Sequence, residues 1–363
     1  MDLPFVPGLE LSERLLLQGV QPVMAAHFPN LAYSAARIGF GSDVLGFDTP
    51  QSRDHGWGPK LTLFIAEADW AQRQAIVDIL GCHLPLTVGG YSTHFTDEGP
   101  ESTPVEATQR PIHHNVQVTT VSRFFTGYVG FDPTRFISET DWLTTPAQRL
   151  RTIASGKVFY DGLGVLRNIQ EILRWYPRDV WLYLMMNAWR RIDQEEPFMA
   201  RCGDVGDELG SRLVAARQID ELMRLCFLIE RRYWPYYKWF GTAFSRLACA
   251  DRLTPIFGRV FDSQTWPARE KHLAQACLVV GAMHNALRLT PQITPEITPF
   301  YGRPYQVPHA ARFCDALYAE ITSAVVLAWP RDVGGVAQFV NSTDVLEHVS
   351  RCRALGVIYG AGC

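Results

Sequence analysis

Arg37-Ile38-Gly39-Phe40-Gly41-Ser42-Asp43-Val44-Leu45-Gly46-Phe47, then Ser52-Arg53-Asp54-His55-Gly56-Trp57-Gly58-Pro59-Lys60-Leu61-Thr62-Leu63-Phe64, decides how this chain is read. An apolar run ends in a Gly-Ser turn. Eleven residues separate Ser42 from Asp54, and a second apolar run follows. Glycine after a strand lets backbone amides approach a phosphate with no side chain in the way. A serine beside it can donate its hydroxyl to the same oxygens. An aspartate on the adjacent strand can hold Mg²⁺, which bridges phosphate oxygens and neutralises charge as a phosphoryl bond breaks. Two-metal chemistry wants a second carboxylate at i+2, because strand side chains repeat with period two. Position 56 is glycine, and the expected neighbouring strand, residues 115–121, contains no acid.

Outward from that stretch, residues 9–27 carry apolar positions at helical spacing (Leu11, Leu15, Leu16, Val20, Val23, Met24), with Pro22 expected to end or kink the helix. Residues 31–40 and 60–66 read as strands, 67–80 as a helix with Gly81 just past it, 88–112 as a loop, and Val116, Val118 and Thr120 as a further strand. Beyond about residue 135 every segment reads as helical: 148–155, 162–175, 181–198, 213–230, 266–288 and 310–328. Asp141 and Thr145 read as helix caps, Pro235 as a stop, and 290–308 as a Pro-rich surface connector. On 213–230 the buried stripe is Leu213, Ala216, Ile219, Met223, Cys226 and Phe227, with Arg212, Arg217, Glu221 and Arg224 off it.

The 363 residues are enough for two domains. A formal charge of −3 argues against a nucleic-acid coat protein. The N-terminus shows no basic flank before an apolar core, so no signal peptide is expected, and no apolar run reaches the ~20 residues of a membrane span. The eight cysteines form no Cys-x-x-Cys pair, which points to free thiols in a cytoplasmic protein. Cys363 stands at the last position, so the prenylation spacing fails.

Other chemistry-bearing residues have structural readings beside functional ones. His113 and His114 are adjacent on a strand entrance and face opposite ways, so they do not share a metal easily. His55 points away from Asp54 for the same reason. Asp204 and Asp207 in Gly203-Asp204-Val205-Gly206-Asp207 read as helix-capping acids or as suppliers of the missing carboxylates. Arg231, Arg232, Tyr233, Tyr236, Tyr237 and Lys238 suit either a helix C-terminus or nucleotide stacking and phosphate pairing.

With Gly41–Phe47, Asp48 and Asp54–Pro59, the blocks Gly156–Asp161, Trp189–Glu196, Gly203–Asp207, Gly210-Ser211 and Arg232–Gly241 carry a resemblance to the DUF4037 family. This is a bacterial, nucleotidyltransferase-like family of the polymerase-β-type superfamily. The resemblance implies an α+β protein: a nucleotidyltransferase-like α/β domain with a mixed sheet over 1–135, then an α-helical, substrate-binding bundle over 136–363. It implies that Gly41 and Ser42 bind the triphosphate of an NTP, with ATP expected, and that Asp54 binds Mg²⁺. Asp43 and Asp48 substitute for the absent acid if the loop folds back. Lys60, Arg231, Tyr236 and Lys238 complete the expected nucleotide-binding set. Aminoglycoside nucleotidyltransferases share the two-part plan, and by analogy of chemistry Glu195 and Glu196 are the candidate general bases and Lys238 the phosphate-facing cation. The expected activity is transfer of a nucleoside monophosphate to a small-molecule acceptor, in a cleft between the domains. The alternatives are a non-catalytic nucleotide- or ligand-binding protein that has lost its metal carboxylates, and a transferase modifying RNA or protein.

Overall fold

The computed structural model describes residues 4–96 and 102–360. Cys363 and residues 97–101 of the segment read as a loop lie outside them. The chain divides into two compact units, Met1–Ile137 with Arg149–Arg174, and Ser138–Gln148 with Trp175–Cys363. Among the described residues no helix is long and apolar enough to cross a membrane.

The first unit is built on a mixed sheet. Its strands are β1 (Tyr33–Arg37), β2 (Leu61–Ile65), β5 (Val116–Thr120) and β6 (Lys157–Asp161), in the order β5-β2-β1-β6; β3 (Thr87–Val88) and β4 (Tyr91–Ser92) form a separate small hairpin. β1 runs antiparallel to β2, with Ala35 opposite Leu63, and β2 runs parallel to β5, with Leu63 beside Val118. The period-two pattern therefore puts Ala35, Leu61, Leu63, Ile65, Val116 and Val118 on one face. That face packs on Leu15, Leu16, Val20, Met24, Ile76 and Leu80. These come from α1 (Gly8–Leu15), the π turn Leu16–Val20, α2 (Gln21–His27) and α4 (Arg73–His83). The short helix α3 (Ser42–Leu45) follows β1, and α5 (Val121–Tyr128) covers the other face, where Phe124 stands edge-on to Phe64 at 5.3 Å.

Three local readings are corrected here. Pro22 does not break the first helix, because a π turn precedes it and α2 opens with that proline near its first position, where no amide is needed. Gly81 lies inside α4 rather than past it. Residues 157–161, in the stretch read as wholly helical, are an edge strand antiparallel to β1. Only Val158 is fully buried there, so the apolar period is too weak to show in the sequence. Gly156 permits the pairing: a Cβ on it would lie 2.6 Å from the Arg37 carbonyl oxygen. The first unit thus takes 149–174, instead of ending at 135.

Between the two parts of that unit, α6 (Glu139–Thr144) is capped by Ser138, whose hydroxyl accepts from the Asp141 amide at 3.2 Å while Asp141 accepts back from the Ser138 amide at 2.8 Å. The chain continues through α7 (Ala147–Ala154) and α8 (Leu166–Ile172). The rest of the second unit is mainly helical: α9 (Arg178–Glu195), α10 (Phe198–Asp204), α11 (Glu208–Ile229), α12 (Tyr237–Phe244), α13 (Ala250–Asp262), α14 (Trp266–Ala286) and α15 (Ala311–Ala319) are its main elements, and the connector read over 290–308 carries a small antiparallel pair, Thr298–Pro299 with Gln306–Val307. α9 buries every residue from Val180 to Trp189, as a helix apolar all round must. Trp189 stacks on Phe313 at 4.2 Å and its indole donates to His284 Nδ1 at 3.2 Å. On α11 the expected stripe is corrected at both ends: Leu213 is exposed, while Glu221 and Arg224 are buried. Glu221 accepts from Arg191 at 2.6 Å, and Arg224 donates to Asp220 at 3.0 Å. Paired charges let that half of the helix be covered on every side.

Gly41 is the position where the fold leaves no choice of residue. Its φ of +145° belongs to glycine, and a Cβ there would lie 1.9 Å from Asp43 Oδ1 and 2.4 Å from Arg37 Nη2. Gly41→Ala is expected to lose at least about 1–3 kcal/mol through backbone strain alone. Gly127→Ala, in α5 with nothing within 4 Å of the added carbon, is expected to gain about 0.5–1 kcal/mol. Urea unfolding of the two variants checks the contrast, and a Gly41→Ala protein as stable as its parent removes the argument.

Candidate functional site

β1 ends on a charge. Arg37 is 8% exposed, and its guanidinium is held through Nε and Nη2 by the turn that follows. Nε donates to Asp43 Oδ2 at 2.7 Å, and Nη2 donates to Asp43 Oδ1 at 2.9 Å and to the Phe40 carbonyl at 2.7 Å. This bidentate fork is the strong form of an ion pair. It folds residues 38–42 around the guanidinium and leaves Gly41 and Ser42 half-buried at the surface. The glycine is needed because the ion pair fills the space of its side chain, which is a different reason from the phosphate approach expected of it.

The carboxylates expected to hold Mg²⁺ have other partners. Both oxygens of Asp43 are bound by Arg37. Asp48 Oδ2 accepts from the Gly8 amide at 2.7 Å and from the Trp57 indole at 3.2 Å. A carboxylate on the first amide of α1 is favoured by the helix dipole. Asp43 lies against the same residue, since a Cβ on Gly8 would be 2.6 Å from Asp43 Cβ. Trp57 stacks near Phe5 at 5.8 Å and stands edge-on to Tyr91 at 4.8 Å, so the Asp54–Pro59 block anchors the N-terminal segment. Asp54 itself is not on a strand. It closes the 3₁₀ turn Pro50–Asp54, exposed, with His55 Nδ1 at 2.9 Å from its Oδ1. The i, i+2 strand geometry is therefore absent, and His55 faces Asp54 instead of turning away. Among the described residues no three His, Cys, Asp or Glu side chains gather to hold a metal ion. The residues present do not fit a two-metal centre.

Lys60 is buried, with its ammonium 5.6 Å from the centre of the Phe95 ring. His114 spends its ring on the fold, with Nε2 at 3.0 Å from the Val77 carbonyl and Nδ1 accepting from the Val116 amide. His113 donates its amide to His94 Nδ1 at 2.9 Å.

The remaining expected site residues belong to the second unit. Glu195 pairs through both oxygens with Arg217. Glu196 is 8% exposed and accepts from the Ala310 amide at 3.1 Å, while Asp193 accepts from the Ala311 amide at 3.1 Å. Together they cap α15 from outside. Burial pushes the Glu196 carboxyl up to about 7, with the neighbouring Asp193 charge adding to the effect and the Ala310 amide opposing it. Arg231 adopts a left-handed φ of 53° where α11 stops, with its guanidinium 4.3 Å from the Trp181 ring centre. The Tyr236 amide donates to Gln148 Oε1 at 3.1 Å, and burial raises its phenol. Lys238 is exposed, with its ammonium 5.4 Å from the Trp239 ring centre. Asp207 caps α11 through the Gly210 amide at 2.7 Å, and Asp204 accepts from the Tyr305 hydroxyl at 2.9 Å, so both have structural partners within the second unit. Sequence reasoning missed Arg37. Its signal is a lone cation closing the apolar run Ala35-Ala36-Arg37-Ile38, with Asp43 six residues on.

Residues 142–240 match the family described as Domain of unknown function (DUF4037), so the resemblance read from the sequence holds over that stretch. No curated protein matches the chain. Among solved structures, a nucleotidyltransferase-like protein from Exiguobacterium sibiricum 255-15 is similar at 11% identity and a TM-score of 0.30, over 79% of this chain and 83% of that one.

Two predictions follow from these contacts. Removing one partner of the buried fork, by Arg37→Met or Asp43→Asn, is expected to cost about 3–5 kcal/mol, and the double variant less than the two losses added; a double-mutant cycle in urea measures the coupling. For Glu196, a folded-state value above the ordinary 4.5 means that the native protein binds more protons than the unfolded chain between about pH 4.5 and 7. Stability is then lost as pH rises through that window. Glu196→Gln, which keeps an acceptor for the Ala310 amide, is expected to raise Tm at pH 8 and leave it unchanged at pH 4. Parallel melting curves for the two proteins at both pH values refute this assignment.

Proposed function

We propose that this DUF4037-related chain binds a nucleoside phosphate through the Gly41–Ser42 turn and carries a nucleotidyltransferase-like plan without a working two-metal centre. The observation that carries the reading is the engagement of Asp43 and Asp48 by Arg37, Gly8 and Trp57. These contacts preset the turn and take up the two acids that were to complete the metal site. A rigid turn lowers the ordering cost of binding a ligand on its backbone.

The rival reading is Mg²⁺-dependent transfer of a nucleoside monophosphate from ATP to a small acceptor. Asp54 favours it, because that carboxylate is exposed and pairs with the likewise exposed His55. In-line displacement at the α-phosphorus would need metal charge at that aspartate, and a single acid offers less of it than the paired carboxylates of a two-metal site.

Calorimetry with ATP, with and without Mg²⁺, separates the two. The binding reading expects affinity to change less than about threefold on adding a chelator or on Asp54→Ala, and no release of pyrophosphate over a library of small acceptors. Affinity that falls tenfold or more in both cases, or pyrophosphate release abolished by Asp54→Ala, establishes the transferase instead. A labelled nucleotide left on RNA or protein also overturns the binding reading, and failure to bind any nucleotide ends both.

A further inference from the structure

Phe40 precedes the Gly41–Ser42 turn, and 44% of it is exposed between the buried Ile38 and Val44. Isolated apolar side chains on a surface need no explanation. Phe40 differs because it is fixed from several sides. Its carbonyl is held by Arg37, and its ring stands edge-on to Tyr128, with centres 5.0 Å apart and planes at 81°. The Arg149 guanidinium lies 5.1 Å from the Phe40 ring centre and 4.9 Å from that of Tyr128. Arg149 is only 4% exposed and donates to the Tyr128 carbonyl at 2.6 Å. A buried guanidinium beside two aromatic rings is a costly arrangement, and its cation–π contacts brace both rings from one side.

The row continues. Tyr128 stacks on Phe124 at 5.6 Å and 19°, and Phe124, half-buried, is braced edge-on by Phe64 of β2. Gly39, with φ +95°, lies along these rings: a Cβ there would sit 3.5 Å from Phe124 and 3.7 Å from Tyr128. The loop that leads into Gly41–Ser42 is thus laid on a fixed aromatic row, with Phe40 at the end nearest the turn. Rigid aromatic groups give contact area at little ordering cost.

We propose that Phe40, with Phe124 beside it, is the platform on which the base of a nucleoside phosphate stacks while its phosphate meets Gly41 and Ser42. This rests on the nucleotide reading above and adds the residues that hold the base, for which that reading named none. Every base has a π face, so all four are accepted, with purines held more tightly through their larger face.

The test is calorimetric titration of the full chain with ATP, CTP and inorganic tripolyphosphate. Phe40→Ala is expected to weaken ATP about tenfold, the factor that about 1.4 kcal/mol of stacking represents, and to leave tripolyphosphate unchanged. Phe40→Trp is expected to retain ATP binding, and Phe124→Ala to weaken it in the same direction as Phe40→Ala. Melting curves confirm that each variant is folded, and the exposed position of Phe40 makes that variant the decisive one. If the parent holds tripolyphosphate as tightly as ATP and Phe40→Ala changes neither, the platform is overturned while the phosphate reading stands. If the parent binds none of the three ligands, both are overturned.

Discussion

The fork between Arg37 and Asp43 is the constraint on which the first unit turns. A guanidinium at the end of β1 cannot be left buried without a counter-charge, and the nearest acid is six residues on. Bringing it back wraps the chain around the charge and forces glycine at 41. It also sets Asp43 against Gly8, where Asp48 takes the first amide of α1. Trp57 reaches the same Asp48 oxygen and joins Phe5 and Tyr91. The ion pair and the Asp48 contacts beside it therefore connect β1, the turn, Trp57 and the N-terminal helix. A buried pair of this kind is weak evidence of added stability but good evidence of fixed geometry.

The same use of carboxylates recurs through the chain. Asp161 accepts from the amides of Val165, Leu166 and Arg167 at the start of α8. Asp179 accepts from those of Thr322 and Ser323, and Glu230 from those of Ala248 and Cys249. Asp193 and Glu196 do this for α15, and Asp207 for α11. Helix N-termini present unpaired amides and partial positive charge, so an acid brought there from elsewhere in the sequence satisfies both. Acids that look chemical in a linear reading are spent on architecture. Asp54 is the exception among the expected metal ligands, standing exposed beside His55.

Much of the fold was legible. The apolar periods of 31–40, 60–66 and 116–120 locate three of the four sheet strands, and α9, α11 and α14 fall where their patterns place them, whereas the helix read over 310–328 stops at Ala319 and α13 falls in a stretch for which no helix was read. β6 was not legible, because an edge strand with one fully buried side chain has no period to read. The burial of Glu221 and Arg224 was hidden for a related reason: charge on a helix reads as solvent-facing until its partners from other segments, Arg191 for Glu221 and the Ala337 carbonyl and Tyr237 hydroxyl for Arg224, are known to be beside it. For the candidate site, the turn itself was legible and the roles of its acids were not.

Sequence alone determined the α+β class, the Gly-Ser turn after the first strand, and the absence of a second acid at position 56. Those depend on local periodicity and residue identity. Tertiary structure decided that Asp43 and Asp48 serve Arg37 and the start of α1, and that Asp54 closes a turn instead of lining a strand. It also decided that Phe40 stands on Tyr128 and Arg149. The physical reason is reach: a carboxylate or a ring acts through whatever lies within a few ångströms, and here those partners come from segments as far apart as residues 8 and 48, or 40 and 149.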